Sequence, residues 1–154
     1  MIHAATLMGP FISTFSVPKI VPEIAAVEVV TALDTYVRSA QNLALGSTMF
    51  WIPPIGQVMA AFRTPSFTSD IFAASFGTAI ETSFASIYTM YQINITVPFG
   101  LLVSLLMPVC AVPQLVPQIF AVELATQIDL FARSCIITAS DPKLLMVPIT
   151  GPII

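Results

Sequence analysis

The chain has 154 residues, room for one compact domain or a few membrane spans. Hydrophobic residues make up 56% and charged residues only 8%, against roughly 25% in an average soluble domain, so lipid or a large protein interface is expected to cover part of the surface. The net charge is −3 with no basic patch, which excludes nucleic acid as an expected partner.

Met1 to Val17 carries no charge beyond a neutral His3 and is about long enough for a short span, which takes roughly 17–25 residues. It lacks a basic n-region, so it does not read as a cleaved signal peptide. Pro10 kinks it or, with Gly9, turns it into an anchor.

Next comes the stretch around which the chain is organised, because it occurs twice. Val17–Ser39 aligns without a gap to Val112–Ser134. Pro18, Pro22, Glu28, Thr31, Asp34, Arg38 and Ser39 recur as Pro113, Pro117, Glu123, Thr126, Asp129, Arg133 and Ser134. Each copy predicts a helix, over about Pro22–Ser39 and Pro117–Ser134. Proline suits the first helical position, where its missing N–H is no loss. In the first copy acidic residues lie early and Arg38 late, which complements the helix dipole. Glu28, Thr31, Asp34 and Arg38 form one polar stripe, and Glu123, Thr126, Asp129 and Arg133 the matching one. Two arrangements are open. The stripes face solvent, or they face each other across a pseudo-twofold axis and line a polar path. These eight residues are the candidate site, able in an apolar setting to relay protons or bind a cation.

Ala40–Phe62 is uncharged and long enough to span, but Pro53-Pro54 breaks any continuous helix, leaving a broken span or two half-length pieces. Trp51 suits either a membrane interface or a buried core. Arg63–Glu81 reads as a connection with a short apolar helix near Ile71–Ile80. Tyr91–Val97 alternates apolar and polar residues, a strand signal, and Asn94-Ile95-Thr96 is a glycosylation sequon. Phe99–Val122 predicts a second kinked span. The last segment, Leu144–Ile154, is apolar and too short to cross alone. Pro148 and Gly151 in it align with Pro53 and Gly56, so the duplicated unit extends past the helix. With two spans, both repeat helices share one side, and Lys19, Arg38, Arg133 and Lys143 make that side cytoplasmic.

No catalytic constellation emerges. His3 is the only histidine, there is no CxxC and no phosphate-cradling glycine loop, so neither a metal, a cofactor nor an enzyme activity is expected. Cys110 reads as a buried small hydrophobe, and a disulfide to Cys135 stays open. Ala44-Leu45-Gly46 with Pro53-Pro54 resembles the coupling loop of ABC-type permeases. Ala125–Asp129 with Asp141-Pro142 is similar to permeases of lipid-transport ABC systems. Both stretches are short, their spacings differ from that family's and its glycines are missing. Ile52-Pro53-Pro54 and Ile95–Phe99 resemble strand ends in small viral coat proteins.

The expected fold is mainly α: a small membrane-embedded helical protein with an internal duplication and proline-broken segments. It forms a single domain over 1–154, with repeat units at about 17–56 and 112–151. The expected function is that of a channel or transporter subunit, localised to the membrane. The expected partners are a lipid bilayer and further copies or other subunits in an oligomer. The alternatives are a structural or assembly subunit of a larger membrane complex, and a designed hydrophobic protein without natural function.

Overall fold

The computed structural model describes residues 4–17, 21–39, 50–63, 70–88, 93–112, 116–140 and 148–152. Within them the chain is mainly helical. Helices α1 (Ala4–Ser16), α2 (Pro22–Ser39), α3 (Ile55–Phe62) and α4 (Asp70–Phe84) precede strand β1 (Ile93–Thr96). Helices α5 (Leu101–Ala111) and α6 (Pro117–Ser134) and strands β2 (Ile136–Ser140) and β3 (Pro148–Pro152) follow.

The repeat helices begin and end where the sequence places them. Pro117 occupies the first turn of α6 and Arg133 its last. In α2, Glu23 lies in the first turn and Arg38 in the last. The alternation at Tyr91–Val97 becomes β1, which pairs antiparallel with β2 so that Ile95 faces Ile137. Ile137 is fully buried and Ile136 is exposed, so the small sheet buries one face. β3 is the outer strand of the order β1-β2-β3, an edge position that tolerates Pro148 and Pro152.

The span expectations are where the structure departs most. No helix among the described residues is long and apolar enough to cross a membrane. The expected span Phe99–Val122 is two helices, because α5 ends at Ala111 and Pro117 opens α6. At about 1.5 Å per residue the 11 residues of α5 cover about 16 Å, against roughly 30 Å of hydrocarbon. The longer helices α2 and α6 carry the charged stripe instead. In the expected broken span Ala40–Phe62, residues 40–49 lie outside the described set, and only Ile55–Phe62 is helical after the two prolines. Trp51 is a core residue, 4% exposed, rather than an interface anchor. The alignment beyond the helices does not carry into structure. Pro53 and Gly56 stand at the start of α3, whereas Pro148 and Gly151 lie in β3.

Two helical hairpins, α1–α2 and α5–α6, thus precede and contain the two copies. Their surroundings differ. α2 packs on α1 and α3, whereas α6 packs on α5 and most extensively on α1. The second neighbour of α5 is α4. Aromatic rings run through the core between these elements. Phe15 of α1 meets Phe120 edge-on at 5.2 Å and stacks on Phe62 at 6.1 Å, and Phe84 of α4 meets Phe131 of α6 at 5.2 Å.

The α4–α5 contact depends on a glycine. A Cβ on Gly77 would stand 2.9 Å from Val103 Cγ2 and 3.1 Å from its Cα, and the backbone atom cannot swing aside. Gly77→Ala gains about 1 kcal/mol of helix propensity but incurs overpacking of about 1–3 kcal/mol. A net loss of about 1 kcal/mol is expected, read as a lower urea midpoint. A midpoint at or above that of the parent would show that α5 is free to move away.

Candidate functional site

The Thr, Asp and Arg side chains singled out by the repeat make bonds within their own helices. Thr31 and Thr126 are exposed, and each hydroxyl donates to the carbonyl four residues back, Val27 at 2.8 Å and Val122 at 2.7 Å. Glu28 and Glu123 are half-buried, and Glu28 lines a cleft between α1 and α2. Arg38 and Arg133 reach back one turn to Asp34 and Asp129, with Nε 2.8 Å from Oδ2 in both. The stripes therefore spend most of their charge within their own helices.

The aspartates are where the two copies diverge. Asp34 Oδ1 accepts from Trp51 Nε1 at 3.0 Å, and Arg38 lies 5.9 Å from the centroid of the Phe50 ring. Asp129 Oδ1 accepts instead from the hydroxyl of Tyr36 at 2.8 Å, a bond that ties α6 to α2. Tyr36 is fully buried and Asp129 is 9% exposed. The counterpart of Tyr36 in the second copy is Phe131, which has no hydroxyl to offer Asp34 and packs on Phe84. One aromatic pair of positions thus makes the ties unlike: Tyr36–Asp129 across the copies, Trp51–Asp34 within the first. Burial pushes the Tyr36 phenol far above its usual range, and the Asp129 carboxylate adds to this because it favours the protonated donor.

A residue outside the stripe completes the buried polar set. Glu81, on α4, is 2% exposed. Its Oε1 accepts from Leu102 N at 2.8 Å and Val103 N at 3.4 Å, and its Oε2 from Gly100 N at 2.9 Å. These are orphan donors at the start of α5, where the positive end of the helix dipole also favours a carboxylate. Gly100 is the N-cap, with φ +84°, and has no side chain to supply the cap itself. Sequence reasoning placed Glu81 in a connection. Its partners are distant in sequence, and the only local hint was Gly100 opening an apolar helix without a capping residue.

On the surface, Arg63 after α3 pairs with Glu23 at the start of α2 at 2.7 Å. The Glu23 carboxyl is held below its usual range, first by a backbone hydrogen bond and then by Arg63. Cys110 and Cys135 are free and buried. Among the described residues no group of three or more His, Cys, Asp or Glu gathers to hold a metal ion. Fold and site together describe a helical bundle held by two buried carboxylates. Comparison with protein-family profiles, with curated proteins and with solved structures finds no match to this chain.

Proposed function

We propose that the chain is a structural, membrane-associated assembly subunit that seats one apolar end in the interfacial layer of a lipid bilayer. The observation that carries this reading is the composition of that end. Val17, Val21 and Ile24 of the first hairpin are exposed, as are their counterparts Val112, Val116 and Ile119 of the second. Both hairpin tips lie at the same end, since Phe15 near the close of α1 touches Phe120 near the opening of α6. Phe15 also stacks on Phe62, and Arg63 beside it reaches Glu23, so the close of α3 joins them. Ile71, at the start of α4 next to Phe72, is 65% exposed, and Phe72 packs on Phe62.

Apolar surface left in water forgoes about 25 cal/mol for each Å², and the same three exposed positions are apolar in both copies. Insertion to the depth of the headgroups removes that area from water without requiring any helix to cross. The Asp and Arg of each stripe neutralise one another, which favours the structural reading over a channel or transporter subunit. Assembly with further copies would use the same end.

Flotation with phosphatidylcholine/phosphatidylglycerol vesicles tests the proposal. The protein is expected to float with lipid, and the double substitution Val21→Glu with Val116→Glu to weaken binding at least tenfold while helical circular dichroism is kept. A parent protein that stays unbound at every lipid concentration, or a double variant that floats equally well, overturns it. A mass that rises with concentration in the absence of lipid would replace the bilayer by a second copy.

A further inference from the structure

Helices that lie on membranes usually carry Lys and Arg beside their apolar face, and these draw them to anionic lipid. The apolar end of this bundle is built differently. Ile24 and Ile119, matching positions of the two hairpin tips, are 50% and 48% exposed. Four residues on, and so on the same helical face, stand Glu28 and Glu123. At 1.5 Å per residue each glutamate stands about 6 Å behind its isoleucine. Helical side chains also lean back towards the N-terminus, here towards the tips. An apolar face enters a bilayer by about 5–10 Å, so both glutamates reach headgroup depth once the isoleucines are inserted.

The other charges at this end do not offset them. Arg63 places Nε and Nη2 at 2.9 and 2.7 Å from one oxygen of Glu23, Oε1. That pair is neutral as a unit, and the guanidinium is turned to a carboxylate of its own chain rather than to a lipid phosphate. Asp70 is exposed at the start of α4, beside Ile71. Lys19 lies between Val17 and Val21 in the chain. Two cations thus accompany four carboxylates, Glu23, Glu28, Asp70 and Glu123, and the end carries a net charge of −2. In the second copy Gln118 takes the place of Glu23, so no basic residue lies between Val112 and Glu123. The whole chain, at −3, has the same sign.

We propose that the lipid surface this end takes is zwitterionic, of phosphatidylcholine type, and that anionic lipid weakens its binding. The inference rests on the reading that the end enters a bilayer, and adds which bilayer. Burial of the valines and isoleucines supplies the attraction and is the same for either lipid. Surface charge then selects. An anionic surface favours a nearby Lys or Arg by about fivefold in affinity for each charge, and disfavours a carboxylate in the same measure. A zwitterionic surface has no net charge and imposes no such penalty.

Flotation of the full chain with vesicles of phosphatidylcholine, alone or mixed with an equal share of phosphatidylglycerol, tests the proposal. At about 0.1 M salt, where charges are screened beyond about 10 Å, affinity for the mixed vesicles is expected to be lower by about fivefold or more. At about 1 M salt the two affinities should converge. Glu23→Gln removes one negative charge and releases Arg63. It is expected to recover about fivefold on the mixed vesicles and to leave binding to phosphatidylcholine alone unchanged. Asp34→Asn makes the same change of charge ten residues beyond Ile24, about 15 Å away, and is expected to leave the lipid preference as it is. Binding to neither kind of vesicle overturns the bilayer reading and this inference together. Binding to phosphatidylcholine that is matched or exceeded on the mixed vesicles at about 0.1 M salt leaves the bilayer reading in place and overturns the choice of lipid alone.

Discussion

Replacing Glu81 with alanine is expected to lower the stability of the fold by about 3 kcal/mol, read from the midpoint of urea unfolding. The carboxylate accepts from three backbone N–H groups at the start of α5, and Leu102 N is in a buried bond. Hydrogen bonds to a charged acceptor contribute about 1.5–3 kcal/mol each, and an orphaned buried donor costs a further share. The sum is not additive, since the freed first turn of α5 can fray and let water in. Glu81→Gln keeps one carbonyl oxygen but turns an amide N–H₂ towards donors, so a loss of about 1–2 kcal/mol is expected. Asp70→Asn, at an exposed position, is expected to change stability by less than about 0.5 kcal/mol. Hydrogen exchange should quicken at residues 102–104 in Glu81→Ala before it does so in α6. If Glu81→Ala and Asp70→Asn have equal midpoints, the remote cap contributes nothing.

The second large effect separates the two aspartates of the repeat. Asp129→Ala is expected to cost about 2–3 kcal/mol, at least twice as much as Asp34→Ala. The side chain of Asp129 is 13% exposed and that of Asp34 is 29%, so water can substitute more readily at the first copy. Asp129→Ala also strands the hydroxyl of the fully buried Tyr36. Tyr36→Phe removes donor and demand together, so its cost should be about 1 kcal/mol, and a double-mutant cycle should show coupling of about 1–2 kcal/mol. Additive single losses would mean the bond is incidental.

The same tie predicts an alkaline limb. The Tyr36 phenol ionises above its ordinary 10.0 in the folded chain, first because it is buried and then because of Asp129. The unfolded chain therefore releases that proton first. The stability is complete below pH 10 and is lost as pH rises beyond it, by roughly 1.4 kcal/mol per pH unit. Burial, aided by Glu81, raises the Cys135 thiol from 9.0 to about 12, and burial, aided by Asp70, raises Cys110 to about 11, so a decline begins near pH 9. Tyr36→Phe should leave the thiol part of that decline in place and flatten it above pH 10. Identical pH profiles for parent and variant would remove the phenol from the account.

The bounds of α2 and α6, and the presence of β1 within Tyr91–Val97, were legible in the sequence because each rests on interactions within a turn or two. Proline at the first helical position, charges matched to the dipole, and strict alternation all act locally. The ion pairs Asp34–Arg38 and Asp129–Arg133 were legible for the same reason, being one turn apart. The expected spans were not. Low charge content says that apolar side chains must be covered. It does not say whether lipid or other helices cover them, and here the core takes Leu102, Leu106 and Cys110 of α5.

Duplication itself is a property of the sequence alone: two helices of the same length, with acid, threonine and arginine at the same positions. Which partner each copy meets is decided by the tertiary structure. Tyr36 against Phe131, α3 beside one helix and α1 beside the other, and Glu81 reaching the start of α5 all join residues far apart in the chain. Such contacts form only when packing brings the elements together, and a single hydroxyl or a single neighbouring helix then gives matching side chains different environments.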